Sequence, residues 1–231
     1  MISIIMPTYN EAGNIKELIL RVERELKKDF EIIVVDDDSE DGTGKIVSDL
    51  KKDKKYLKLI TRKRERGLPS AIKRGIEEAR GNLVSWFDCD LGMPPEILHR
   101  MIKLLEKFDI VVGSTFIQGG HDKRDVWHAE LFSKLFNLLA KSLLGGGISD
   151  YTSGFIVAKK KAVEKSDFKG IHGAYFISTL YHARRNGYRI TEIPYTLSPR
   201  YYGKSKIASP LSYIRAGFSY LSILIKTRFE V

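Results

Sequence analysis

The sequence predicts an α/β domain built on a mostly parallel sheet flanked by helices, and three observations carry that prediction. Short β-branched runs alternate with amphipathic stretches through the first half of the chain. The runs are apolar on both faces, as strands covered by helices on two sides must be. Finally, the acid-bearing segments PTYNE (7–11), DDDSEDGT (36–43) and DCDLG (88–92) each begin where an apolar run stops. Open parallel sheets bind ligands at those strand ends, so the three segments should converge on one crevice.

In order, ISIIM (2–6) reads as the first strand, followed by a helix over about 14–28 and the strand EIIVV (31–35). A helix follows the Asp41-Gly42-Thr43 turn, then come the strand LKLI (57–60), a helix over about 69–79 and the strand LVSWF (83–87). Pro94-Pro95-Glu96 opens a helix reaching about 107, because proline suits a first helical turn, and DIVVG (109–113) is the next strand. After Gly113 the pattern changes to Gly-bearing loops and two long amphipathic stretches.

The first stretch, Val126 to Leu144, sets Glu130, Lys134, Asn137 and Lys141 at helical spacing and leaves Trp127, Leu131, Phe132, Leu135 and Leu138 on broad apolar sides. The second, Pro210 to Lys226, carries Ser212, Arg215, Ser219, Ser222 and Lys226 on one stripe and Leu211, Ile214, Phe218, Leu221 and Ile225 on another. Arg215 and Lys226 interrupt it too closely for a membrane span. Two roles are open to both helices: packing on the core, or lying in a membrane interface.

At 231 residues and 43% hydrophobic, the chain supports one catalytic-sized domain with an appendage, expected as 1–206 and 207–231. A net charge of +10 implies an anionic partner. Nucleic acid is disfavoured, since the basic runs KKDKK (51–55) and RKRER (62–66) lack interleaved aromatics and no nucleic-acid-binding motif is present. A single cysteine, Cys89, excludes an internal disulfide and a cysteine zinc site, which suits a reducing compartment. The start MISIIMPTYNE has no basic segment before its short apolar run, so it reads as a strand and not as a signal peptide. Cytoplasm is the expected location.

Asp88 and Asp90 are two apart, so on a strand they aim to one side. Their repulsion disappears if a hard cation such as Mg²⁺ or Mn²⁺ sits between them and a substrate diphosphate. The bland alternative is that Asp90 caps the next helix. In DDDSEDGT, a helix N-terminus accounts for Asp41 and Ser39 but not for Asp37, whose carboxylate could hold a base or ribose. Neither G-x-G-x-x-G nor a P-loop sequence is present.

Taken together, PTYNE (7–11), VVDDDSEDGT (34–43), RGLPSAIKRGIEEARG (66–81), DCDLGMPPE (88–96), YTSGF (151–155) and PRYYGKSK (199–206) resemble, in order and spacing, the family 2 glycosyltransferases. More closely, the chain resembles dolichol-phosphate mannose synthases and their polyprenyl-phosphate relatives. The resemblance implies a GT-A type fold, with a mostly parallel Rossmann-like sheet and C-terminal amphipathic interface helices. It implies a metal-dependent, inverting transfer of a hexose, mannose from GDP-mannose, to dolichyl or another polyprenyl phosphate at the cytoplasmic face of a membrane. A separate membrane subunit is a possible partner. The alternatives are a relative using UDP-glucose or another nucleotide sugar, and a non-catalytic binding protein.

Carried over by position, the resemblance assigns Pro7, Tyr9, Glu11, Val35 and Asp37 to the nucleoside. It assigns Asp88, Cys89 and Asp90 to the donor, with Asp90 on the metal, and Arg200 and Lys206 to a basic loop over the donor phosphates. Gly92, Thr115 and Ala174 depart from it, where relatives often carry Gln, Arg and an acid. Near YTSGF the sequence offers only Asp150 as a candidate base. This fits a lipid phosphate acceptor, which is already an ionised nucleophile and needs only to be positioned. Lys123, Arg124 and Lys134 are candidate cations to guide it.

Overall fold

The computed structural model describes residues 1–124, 127–168, 170, 172–203 and 210–229. Lys206 lies outside the described residues. The chain opens with β1 (Ile2–Thr8), α1 (Ile15–Leu26), β2 (Phe30–Asp36), α2 (Thr43–Lys51), β3 (Leu57–Thr61), α3 (Leu68–Glu78) and β4 (Leu83–Trp86). A 3₁₀ turn, Pro95–Ile97, then leads into α4 (Leu98–Leu104) and β5 (Ile110–Ser114). Every strand and helix expected in this half forms, but α4 starts late because the turn after the two prolines is 3₁₀ and not α.

The second half supplies β6 (His121–Asp122), α5 (Trp127–Leu144), β7 (Ile156–Lys159), α6 (Lys160–Val163), α7 (Tyr175–Arg185), β8 (Ile190–Pro194), β9 (Thr196–Leu197) and α8 (Pro210–Phe229). The main sheet runs β3-β2-β1-β4-β7-β5-β8. All neighbours are parallel except β7, which is antiparallel to both β4 and β5. A separate two-stranded sheet pairs β6 with β9 in parallel, His121 opposite Thr196 and Asp122 opposite Leu197.

The period-two alternation of the strands divides the core into two layers. Ile4, Met6, Ile32 and Val34 face α1 and α4, while Ile5, Ile33, Val35 and Trp86 face the side closed by α3, α5, α7 and α8. Burying side chains of this size contributes about 1.5–3 kcal/mol each, which ties the strand ends into one rigid edge.

Each of the two amphipathic helices packs one side on the core and leaves much of its apolar stripe outside. In α8, Ala216, Leu224 and Thr227 are buried against the core, while Phe218, Leu221, Ile225 and Phe229 point outward. In α5, Phe136, Asn137, Ala140 and Leu144 are buried, and Leu131, Leu135, Leu138, Leu139 and Leu143 are exposed. Asn137, expected on the polar face, is inside: its Nδ2 donates to Thr152 Oγ1 at 2.9 Å and its Oδ1 accepts from Tyr151 N at 2.7 Å. The C-terminal helix thus shares the core of the domain while showing an apolar face to the outside.

Candidate functional site

The strand ends of β1 and β4 open into a cavity of about 370 Å³. At one end it is lined by Pro7, Glu11, Asp88, Cys89, Asp90 and Arg200. From there it runs past Thr115, Asp150, Tyr175 and Tyr195 to a wall made by Phe132 and Ser133 of α5 and Ala216 and Tyr220 of α8. The sequence thus places both acids of the D-x-D pair in one pocket. Tyr9, Val35 and Asp37 are not part of its lining.

Their surroundings explain why. Val35 is fully buried in the core. Asp37 is also buried, and both of its oxygens are taken: Oδ1 accepts from Arg62 Nε at 2.7 Å and Oδ2 from Gly67 N at 2.7 Å. Its visible role is to lock the turn that starts α3. Tyr9 lies under the Arg66 guanidinium, 5.1 Å from ring centroid to the charge. Asp36 and Asp41 are turn-building acids: Asp36 accepts from Thr8 Oγ1 and Ser39 Oγ, and Asp41 accepts from Thr43 and from Ala12 N at the head of α1.

Arg200 reaches into the end of the pocket that holds Asp88 and Asp90. Its Nη1 donates to both Glu11 oxygens at 2.9 Å, and its Nη2 lies 3.3 Å from Asp90 Oδ2. Burial works against the charge on Arg200, but the bond to Glu11 and the fields of Asp90 and Asp88 outweigh it and raise its pKa. The segment carrying Arg200 is pinned by backbone bonds: Ser198 N donates to Gly92 O at 2.9 Å and Tyr201 N to Asp90 O at 3.1 Å. Two glycines allow this approach. A Cβ on Gly92 would sit 2.9 Å from Ser198 O and 3.0 Å from Asp90 Oδ1, and one on Gly13 would overlap the Tyr202 ring at 2.2 Å.

Asp90 Oδ1 accepts from Gly92 N at 2.9 Å, and Oδ2 faces the pocket beside Arg200. Two hard carboxylates at one pocket end fit a divalent cation that completes its shell with diphosphate oxygens and water. Among the described residues no group of three acidic, His or Cys side chains is assembled to hold a metal without such help.

Further in, burial raises the pKa of the Tyr175 and Tyr220 phenols, and the negative charge of Asp88 adds in the same direction. The charge of Asp88 is thus felt both by Arg200 and by this aromatic wall. Tyr175 also accepts from Trp86 Nε1 at 2.8 Å, which ties the wall to β4. Sequence reasoning missed both tyrosines: α7 buries nearly every residue from Tyr175 to Ala183 and so shows no polar stripe, and Tyr220 belongs to neither of the stripes read in α8. Asp150 is almost wholly buried and is pushed up to about 6 by desolvation, against hydrogen bonds from Thr115 N, Thr152 N and Thr152 Oγ1. Thr115, which departs from the family resemblance, gives its backbone N–H to Asp150, and Ala174, a second departure, is fully buried.

A mostly parallel sheet with a two-acid pocket at its strand ends, reached by Arg200, is the arrangement of a GT-A type α/β domain. The Glycosyl transferase family 2 model matches residues 3–166, and the chain belongs to that family. Over 89% of its length it is 34% identical to dolichol-phosphate mannosyltransferase from Pyrococcus furiosus, spanning 59% of that protein. It is 30% identical to polyprenol monophosphomannose synthase from Mycolicibacterium smegmatis and 32% identical to dolichol-phosphate mannosyltransferase from Saccharomyces cerevisiae, covering 89% of this chain and 80% of each relative. In fold it is similar to glucosyl-3-phosphoglycerate synthase from Mycobacterium tuberculosis. The complex of that protein with Mn²⁺, UDP and phosphoglyceric acid superposes with a TM-score of 0.76 at 16% identity, covering 99% of this chain and 78% of that one. Its complex with Mg²⁺ and UDP gives 0.74 at 16% identity, covering 100% and 80%.

Proposed function

We propose that the protein transfers a hexose, mannose from GDP-mannose, to a polyprenyl phosphate at a membrane surface. One observation carries the reading: a single cavity joins the D-x-D acids to a wall built from α5 and α8, the two helices whose outer faces are apolar. Leu135 and Leu138 are 60% and 64% exposed, and Phe218 and Ile225 are 70% and 53% exposed. Large exposed apolar side chains on two neighbouring helices mark an interaction face, and with basic residues in the last turns, Lys141 in α5 and Lys226 and Arg228 in α8, they suit a lipid interface. Among the described residues no helix is long and apolar enough to cross a membrane. The names of the relatives support the same acceptor and sugar.

In this reading Pro7 and Glu11 border the nucleoside, and Asp88 and Asp90 face the diphosphate and sugar. A lipid phosphate oxygen bonds to the anomeric carbon as the bond from that carbon to the diphosphate breaks, and the electron pair leaves with the nucleoside diphosphate. The acceptor is ionised, so no side chain has to remove a proton. Arg200, held at the donor end by Glu11 and Asp90, is placed to exchange those carboxylates for the diphosphate and to stabilise the charge that grows on it. Mg²⁺ or Mn²⁺ bound at Asp90 would supply further charge stabilisation to the same leaving group.

The test is a transfer assay with purified protein, Mn²⁺ or Mg²⁺, a panel of nucleotide sugars, and matched polyprenyl phosphate and polyprenol. Transfer of mannose to the phosphate and not to the alcohol is expected. Comparable rates on the two acceptors, or a donor other than GDP-mannose being preferred, would overturn the corresponding part of the reading.

A further inference from the structure

The charge around the cavity poses a problem for a phosphate acceptor. Among the described residues its lining carries five carboxylates, Glu11, Asp88, Asp90, Asp122 and Asp150, against two cations, Arg124 and Arg200. Arg200 is engaged at the donor end by Glu11 and Asp90. A phosphate arriving beside Asp88 and Asp150 meets like charge unless another cation receives it.

Arg124 shares the lining with Ser133 and Thr115, and the small sheet fixes the backbone that leads to it. Lys123 N donates to Leu197 O at 2.8 Å and His121 N to Tyr195 O at 3.0 Å, which fixes the β6 backbone against β9. Asp122, with a side chain 9% exposed, then accepts from Arg124 Nε at 3.0 Å and Nη2 at 2.7 Å. This two-point contact sets the plane of a guanidinium that is itself 41% exposed. Burial by itself would raise the Asp122 pKa, but the bonds from Arg124 and the nearby charge of Lys134 on α5 hold it below the usual range.

We propose that Arg124 receives the acceptor's phosphate, with Asp122 as the positioning residue that turns its guanidinium into the pocket. This rests on the reading of the cavity as a site for a phosphate acceptor, and it selects one residue among the three cations that the sequence offered. The planar fork suits a phosphate better than an ammonium would. Arg124 also follows β6, the partner of β9, and β9 continues through Ser198 to Arg200, so one strand pair carries a cation to each end of the pocket.

The test compares the wild-type full chain with Arg124→Gln and Arg124→Lys, using farnesyl phosphate as acceptor. Kinetics are read with the donor that the wild type uses, alongside the dissociation constant for that donor and the melting temperature. For Arg124→Gln the KM for farnesyl phosphate should rise roughly tenfold or more, the usual worth of a hydrogen bond to a charged group. Its dependence on added salt should flatten, Arg124→Lys should recover part of the loss, and donor affinity should hold, while the melting temperature, lowered by loss of the ion partner of Asp122, should stay well above the assay temperature. An unchanged acceptor KM in Arg124→Gln, with an active wild type, overturns the assignment of Arg124 and leaves the phosphate-acceptor reading intact. A wild type that never uses farnesyl phosphate overturns both.

Discussion

Replacing Asp150 by Asn should change stability by an amount that depends on pH in a calculable way. The Asp150 carboxyl is pushed from 3.8 to about 6 by burial. Two units at about 1.4 kcal/mol each mean that ionising it in the folded protein costs about 3 kcal/mol more than in the unfolded chain. The folded state holds the proton more tightly, so this group's contribution to stability falls as pH rises from about 4 to about 6 and is level above that. Asn carries no charge and does not titrate. It keeps one acceptor oxygen, but its amide turns a donor toward Thr115 N or toward Thr152, so about 1–3 kcal/mol is lost at every pH. The stability gap between wild type and Asp150→Asn should therefore move by about 2 kcal/mol in favour of the variant between pH 4 and pH 8. Urea unfolding of both proteins across that range measures it, and taking the difference cancels the other titrating groups. A gap that stays constant with pH would show that Asp150 has an ordinary pKa and that its burial is relieved by something other than protonation.

Arg200→Ala removes the cation shared by Glu11 and Asp90 and should weaken donor binding roughly tenfold by calorimetry; undiminished donor affinity would mean that Arg200 acts only as a bridge within the protein. Asp37→Asn breaks a buried ion pair with Arg62, whose side chain is 6% exposed, and should lower unfolding stability by about 3 kcal/mol; a stable variant with weakened donor binding would return Asp37 to the nucleoside role that the family resemblance gives it.

The first half of the fold was legible because its strands announce themselves. Buried parallel strands are solid apolar runs, and each run ends in residues too polar for a core, so both the sheet and its functional edge appear in the sequence. The second half hides its short strands and α7, and three elements show why. β7 is a four-residue antiparallel strand that follows a Gly-bearing turn, too short to establish a period. α7 buries nearly every residue from Tyr175 to Ala183, so it has no polar stripe to reveal helical spacing. β8 is half-buried at the sheet edge and mixes Thr191 and Glu192 with Ile190 and Ile193. Among site residues, local pattern marks Asp88 and Asp90. It cannot show that Asp37 is consumed by Arg62 or that Glu11 is paired with Arg200, since those partners are brought together only by the fold.

The orientation of α5 and α8 follows from the same limit and bears most directly on function. A hydrophobic stripe in a sequence says only that some apolar medium lies against it, and the usual medium is the core. In α8 the core is satisfied by smaller or more polar residues, Ala216, Tyr220 and Thr227 with Leu224, while the larger side chains of Phe218, Leu221 and Ile225 are left outside. Tyr220 reaches the pocket from the inner face of the helix that carries Phe218 and Ile225 on its outer face. A medium that held the outer face would therefore sit one helix diameter, about 10 Å, from the wall of the pocket. That is close enough for the phosphate of a lipid to reach the pocket while its apolar tail stays with the outer faces, so that in the proposed reading the exposed stripes and the Asp88–Asp90 pair serve one site.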